Sequence, residues 1–382
     1  MSVETTIRQQ VRESRRIVVK IGSRVLVQEN GAPNLDRMTM IVDAVADLRR
    51  LGKEVIIVTS GAVGAGMEAL NLTVRPDTVP DLQMAAAVGQ TRLMTRYEQL
   101  FADRQCRIGQ VLLTHGDLKD RTRHLNARNT MMNLLRHGIV PVVNENDVVS
   151  VEEITFGDND MLASLVAVLT QADLLILLTT TDGVHDRMGD GASQRLSYVA
   201  SVDEAILQHV RDEDNQFSTG GMASKLKSAQ SAVDMGIPAV IADGRVAGVL
   251  QAILDGESVG ALQADDRPVA VKKLSGRKKW IALFHKPEGI LAVDDGAERA
   301  LMEEGKSLLP IGISRVEGDF QMGAVVDIHN GSGVTIARGL VDYASEQIRC
   351  IMGHKTTEID RLLGRKDYDE VIHRDNLVVL QK

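Results

Sequence analysis

Arg16 to Ser60 reads RIVVKIGSRVLVQENGAPNLDRMTMIVDAVADLRRLGKEVIIVTS. Two β-branched runs, RIVVKI and EVIIVTS, enclose a stretch in which Ile41, Val45 and Leu48 recur at helical spacing, with Gly52 as a helix stop. Successive residues of both runs are apolar, so each run is expected to bury both of its faces. A strand, a helix and a second strand of this kind predict a parallel sheet covered on both sides.

The pattern continues outward to about Leu262. IGQVLLT, IVPVVNEN, DLLILLTT and PAVIAD read as further strands. Helical stretches separate them: DLQMAAAVGQTRLMTRYEQLF, RTRHLNARNTMMNLLRHG, NDMLASLVAVLTQ and GMASKLKSAQSAVDMG. In such sheets ligands bind beyond the carboxyl ends of the strands, so chemistry is sought there.

The texture changes after Gly260. ADDRPVAVKKLSGRKK is polar and basic and reads as a linker. From Trp280 the strands become short and closely spaced, as in QMGAVVDIHN and GVTIARGL, with one helix, GAERALMEEG, between. The expected organisation is an α/β domain over 1–262, a linker over 263–279 and a small β-rich module over 280–382. The core of that module is expected at about 280–354, followed by a polar tail ending in DNLVVLQK.

A chain of 382 residues corresponds to about 2.5 domains, in keeping with one large and one small unit. Its hydrophobic share of 44% and charged share of 25% are those of an ordinary globular protein. A net charge of −8 argues against general attraction to nucleic acid or anionic membrane. No apolar run approaches the ~20 residues of a membrane span. The opening MSVETTIRQQVRESRR lacks the apolar stretch of a secretory signal, and a cytoplasmic enzyme is expected. Cys106 and Cys350 are too few and too far apart for a disulfide framework or a cysteine-built zinc site.

Several motifs fail. Gly305-Lys306-Ser307 ends like a phosphate-binding loop, but Ala300 stands where that loop needs its first glycine. Gly61, Gly64 and Gly66 follow a strand in the order G-x-x-G-x-G, which is not the dinucleotide fingerprint. The histidines show no zinc-ligand spacing.

Five segments carry chemistry. Thr219-Gly220-Gly221-Met222-Ala223-Ser224-Lys225 opens a helix, where free N–H groups favour phosphate and Lys225 adds a cation. Lys20 closes the strand IVVK before Gly22-Ser23, and phosphoryl transfer needs cations of this kind around the moving phosphate. Ser60-Gly61-Ala62 begins a loop that a small anion can enter. Asn144-Glu145-Asn146-Asp147 and Gly157-Asp158-Asn159-Asp160 concentrate amides and carboxylates suited to gripping an ammonium group. Each segment alone also fits a blander role: a solvated lysine, a structural turn glycine, a cap. All five fall at strand ends or helix starts, which the bland roles together explain poorly.

KIGS, VTSGAVGAG, NENDVV, FGDND and STGGMASK, in that order, resemble the amino acid kinase family, over about Arg16 to Leu262. The match is best to its bacterial glutamate-phosphorylating members. The stretch from Trp280 to about His354 resembles the PUA module that many of these carry. The resemblance implies an αβα sandwich with a mostly parallel sheet, followed by a β-rich PUA-like domain.

It also implies roles. Lys20 and Lys225 would stabilise the transferring γ-phosphoryl, with Asp160 holding both lysines. Ser60, Asp147 and Asn159 would bind glutamate. ATP would lie near Lys20, Thr179 and Thr180 and across Thr219, Gly220, Gly221, Met222, Ala223, Ser224 and Lys225. Mg2+ would ride on the nucleotide phosphates, with no metal cage built by the protein. The implied reaction converts L-glutamate and ATP to L-glutamyl 5-phosphate and ADP, the first step of proline biosynthesis. Proline would be a feedback inhibitor, and the assembly a homotetramer or dimer.

One position departs. The family usually shows Thr-Asp after the LLILL strand, whereas Thr180 follows Thr179 here, and Asp182 matches the acidic residue before the glycine. Kinases acting on aspartate, acetylglutamate, carbamate or UMP share the fold, but they typically lack the PUA-like module. RNA binding through that module is a different reading. Arg277 to Lys382 carries 15 basic and 17 acidic residues, without the electrostatic footprint RNA binding needs.

Overall fold

In a computed structural model the described residues are 3–28, 33–149, 159–187, 193–200, 202, 206, 221–264, 281 and 287–380. The chain divides into two compact units, Met1–Val271 and Lys272–Lys382. All but two residues of the stretch expected as a linker, 263–279, lie outside the described residues.

The first unit is built on an eight-stranded sheet. Its strands are β1 (Arg16–Ile21), β2 (Glu54–Val58), β3 (Arg107–Leu113), β4 (Ile139–Glu145), β5 (Leu174–Thr179), β8 (Tyr198–Val199), β9 (Ala239–Asp243) and β10 (Ala261–Gln263). A separate antiparallel hairpin holds β6 (Val184–Arg187) and β7 (Ser193–Leu196). The spatial order is β3-β4-β2-β1-β5-β9-β10-β8, parallel throughout except where β10 runs against β9. β1 is central: Ile17 is in register with Val55 on one side and Leu174 on the other. Chain order reverses on either side of β1, which makes the crevice beyond its carboxyl end a topological switch point.

Helices cover both faces. One face packs α1 (Val3–Glu13), α3 (Leu35–Arg50) and α5 (Val79–Ala102) against Ile17, Val19 and Ile21, through Val11, Ile41, Val45, Tyr97 and Phe101. The helix read around Ile41, Val45 and Leu48 is therefore α3, N-capped by Asn34. Against the other face lies α8 (Asn159–Thr170), buried from Leu162 to Thr170 on every side, with α9 (Met222–Val233) packed on it. A helix apolar all round is what such a sandwiched position selects.

The sequence reading placed no helix at the amino end, yet α1 forms there. Its short apolar stripe is Ile7 and Val11, and Arg8 ties it to the carbonyls of Ser197 and Glu257. α4 (Ala62–Ala69) and α5 meet backbone to backbone. A Cβ on Gly66 would stand 1.7 Å from the Ala85 oxygen, and one on Gly89 1.7 Å from the Ala62 oxygen.

The second unit holds a five-stranded sheet of order β12-β11-β13-β14-β15. Its strands are β11 (Gly289–Val293), β12 (Ile313–Glu317), β13 (Val325–His329), β14 (Thr335–Leu340) and β15 (Leu377–Val379). The anticipated helix is found over Asp295–Met302, capped by Asp294. The core does not stop at 354. Ile359, Val371, Ile372 and Leu377 are buried in it, and β15 completes the sheet beside β14. Two short apolar runs inside a polar stretch carry too little periodicity to announce that role.

Candidate active site

The carboxyl ends of β1, β2, β4, β5 and β9 share one edge, and the side chains singled out by sequence gather there. Lys20 is the penultimate residue of β1, and only 6% of it is exposed. Lys225 lies in the first turn of α9, after Gly221, which caps that helix in extended conformation. Asp160 is the second residue of α8 and is 1% exposed. Its Oδ1 stands 2.6 Å from Lys20 Nζ, and its Oδ2 3.2 Å from Lys225 Nζ. One carboxylate thus holds two buried ammonium groups, leaving an excess positive charge. The first turns of α8 and α9 meet at this point, and each presents backbone donors and a positive dipole end to an anion.

The other half of the site starts from Asn159, the neighbour of Asp160. Its Nδ2 donates toward the Thr59 carbonyl at 2.9 Å, Ser60 Oγ at 3.0 Å and Asn144 Oδ1 at 3.2 Å. Asn159 Oδ1 is buried without a hydrogen-bond partner among the described residues. Ser60 follows β2, and Gly61 turns the chain into α4 with φ of +100°, a conformation glycine adopts without strain. Thr59 is pinned from behind by a 2.9 Å hydrogen bond between its hydroxyl and that of Tyr97 on α5. Burial pushes the Tyr97 phenol up to about 12, against the pull of that hydrogen bond, so it stays a neutral strut.

Asp147, two residues beyond the end of β4, is half-buried. Burial raises its carboxyl to about 6, with the positive charge of Arg75 acting in the opposite sense. No hydrogen bond joins Asp147 to Ser60 or Asn159 among the described residues.

The expected nucleotide positions are partly visible. Thr179 ends β5 buried, its carbonyl accepting from Gly244 N–H at 2.9 Å. The Thr180 carbonyl accepts from Arg245 at 2.7 Å, and Arg245 is itself paired with Asp243 at the end of β9. The Arg245 guanidinium holds the Asp243 carboxyl below its ordinary value. Asp182 pairs instead with His185 at 2.7 Å. Met222, Ala223 and Ser224 form the start of α9, half-buried beside Lys225. Thr219 and Gly220, like Gly157 and Asp158, lie outside the described residues.

Sequence reasoning did not single out Gln90, Tyr97, Asp243 or Arg245, and it took Asn144 only as part of the segment Asn144 to Asp147. A signal existed for two of them: Gln90 and Tyr97 are polar residues seven apart on one apolar helix face. Among the described residues no three His, Cys, Asp or Glu side chains converge as a metal cage, and Asp160 is committed to its lysines. The arrangement can accept a polyanion at the lysines and a zwitterion at the amides beside them.

The chain matches the amino acid kinase family over residues 15–243 and the PUA domain over residues 289–363. It is 46% identical over 370 residues to the glutamate 5-kinase of Moorella thermoacetica, covering 96% of this chain and 97% of that one. It is 44% identical over 378 residues to the glutamate 5-kinase of Syntrophus aciditrophicus, covering 98% and 96%. To the glutamate 5-kinase of Caldanaerobacter subterraneus subsp. tengcongensis it is 46% identical over 374 residues, covering 96% and 98%.

Proposed function

We infer the following activity for a chain that belongs to the amino acid kinase family: transfer of the γ-phosphoryl of ATP to the side-chain carboxylate of L-glutamate. The products are L-glutamyl 5-phosphate and ADP, and the reaction opens proline biosynthesis. The observation that carries the mechanism is the bridge from Asp160 to Lys20 and Lys225, at 2.6 and 3.2 Å.

The acceptor carboxylate is already ionised at neutral pH, so no general base is needed. A carboxylate oxygen of glutamate forms the new bond to phosphorus as the bond from phosphorus to the ADP oxygen breaks. What the protein supplies is alignment and charge. Lys20 and Lys225 neutralise the three phosphoryl oxygens and the leaving diphosphate, and Asp160 prevents either lysine from swinging away. Ser60, Asn159 and Asp147 hold the glutamate so that its side chain points at the lysines. Asn159 and Asp160 are consecutive on α8, which places acceptor and phosphoryl donor side by side.

The nucleotide lies along Thr179, Thr180 and the start of α9, with Thr219 to Lys225 around its phosphates. A divalent cation, Mg2+ in our reading, accompanies those phosphates and adds to the charge neutralisation. The kinase domain spans 1–262, a linker 263–279 and the PUA-like domain 280–382. Proline acts as a feedback inhibitor and the chain assembles as a homotetramer or dimer, both supported by the family resemblance.

The test is ADP release with glutamate, aspartate and N-acetylglutamate, using hydroxylamine to trap any acyl phosphate. Hydroxamate from glutamate alone is expected. Turnover of aspartate with none of glutamate would replace the substrate.

A further inference from the structure

We propose that Gln90 is a positioning residue for the amino acid substrate, acting through Asn144 on Asn159. This rests on the glutamate-binding role given above to Asn159.

Three carboxamides form a chain of one polarity. Asn144 Nδ2 donates to Gln90 Oε1 at 2.8 Å, and Asn159 Nδ2 donates toward Asn144 Oδ1 at 3.2 Å. Because Gln90 takes the nitrogen of Asn144, the oxygen of Asn144 is turned toward Asn159. The nitrogen of Asn159 then faces three acceptors, the others being the Thr59 carbonyl and Ser60 Oγ. Turning the Asn159 amide over would set its oxygen against the Thr59 carbonyl oxygen and Asn144 Oδ1, neither of which can donate. Its Oδ1 is consequently the end left over, buried and unpaired among the described residues. A buried acceptor without a donor is costly, and an ammonium group is the strongest available complement.

The far end of the chain shows the same logic. Gln90 Nε2 is buried with no partner among the described residues, so the surplus donor lies away from the substrate and the surplus acceptor beside it. Gln90 is held in place by its helix. Its neighbour Gly89 packs against the Ala62 carbonyl, and Tyr97, two turns on along α5, anchors Thr59. Gln90 touches no reacting atom. Its work is to choose which atom of Asn159 meets the substrate.

The experiment compares wild type, Gln90→Leu and Gln90→Glu in the full chain. The readouts are the KM for glutamate, the KM for ATP, kcat, inhibition by glutarate and Tm. Glutarate has both carboxylates of glutamate and no ammonium. Leu removes the acceptor for Asn144, whereas Glu keeps it. Gln90→Leu is expected to raise the glutamate KM by about tenfold, with kcat and the ATP KM within about twofold and glutarate inhibition unchanged. Gln90→Glu should return the glutamate KM to within about threefold of wild type. An unchanged glutamate KM in Gln90→Leu, an equal rise for ATP, or a Glu variant as impaired as the Leu variant would overturn the role. A Leu variant with collapsed Tm leaves the Glu variant and its glutarate comparison to decide. Wild type that forms no hydroxamate from glutamate overturns the activity itself and Gln90's role with it; active wild type without the KM split overturns the role alone.

Discussion

Asn159 and Asp160 are neighbours on the first turn of α8, and their side chains serve different halves of the site. Asn159 reaches Thr59, Ser60 and Asn144, while Asp160 reaches Lys20 and Lys225. Successive helical residues point about 100° apart, so one turn reaches both clusters and, in the proposed reaction, serves both the acceptor and the donor of the phosphoryl group.

Each of the two lysines is expected to be necessary for the proposed transfer. Lys20→Ala or Lys225→Ala is expected to lower kcat by about 10²-fold or more, since each acts mainly on charge that develops in the transition state. Asp160→Asn should lower kcat and also stability, because it leaves two buried ammonium groups without their carboxylate, a loss on the order of 3–5 kcal/mol. Steady-state kinetics and thermal unfolding check both. Wild-type kcat in any of the three variants rules out that residue's part.

Glutamate binding should depend on pH through Asp147. Its carboxyl lies at about 6 rather than the ordinary 3.8, because burial penalises the charged form. The ionised form is the one that attracts an ammonium group, so the glutamate KM is expected to rise as pH falls below about 6. Asp147→Asn should raise that KM at neutral pH and abolish the inflection, leaving the ATP KM nearly unchanged. For stability the sign is opposite. The folded chain binds this proton more tightly than the unfolded chain, so the contribution is complete below 3.8 and is lost as pH rises through about 6. Asp147→Asn should therefore flatten that fall in a Tm-against-pH series. A Tm profile identical to wild type contradicts the burial of the group.

Gly89→Ala tests the contact between α4 and α5. The new methyl would meet the Ala62 oxygen at 1.7 Å, and the helices must separate to admit it. Overpacking of this kind costs about 1–3 kcal/mol, and here it also displaces Gly61 and Ser60. A lower Tm together with a raised glutamate KM is expected. Loss of Tm with unchanged kinetics would show that the Ser60 loop is positioned independently of α5.

The kinase activity should survive without the second unit. Every residue placed at the site precedes Val271, where the first compact unit ends. A chain ending there is expected to stay soluble and to phosphorylate glutamate at a rate near that of the full chain. A folded but inactive truncation would mean that the PUA-like unit completes the site. Salt-dependent RNA binding by the full chain, measured in parallel, should be weak, given 15 basic against 17 acidic residues over 277–382.

Local pattern was enough for the class of fold. Apolar runs with a glycine or capping residue between them announced β1, α3, β2, β3, β4, β5 and β9, because burial on two faces favours successive apolar residues, whereas the short β6, β7, β8 and β10 gave no such run. Chain order was enough to mark Lys20, Ser60, Asp160 and Lys225, each at a strand end or helix start, where backbone groups and side chains meet solvent or ligand. Partnership is a different matter. That Lys20 and Lys225 share one carboxylate depends on β1 lying between β2 and β5, and on α8 crossing beneath it. That Asn159 meets Ser60, 99 positions away, depends on the same sheet order. Nor does the spacing of Gln90 in α5 say which amide it faces, or that of Val371 and Leu377 which core they join. Periodicity records which side of an element is apolar, whereas the neighbour on that side is decided by packing among segments far apart in the chain.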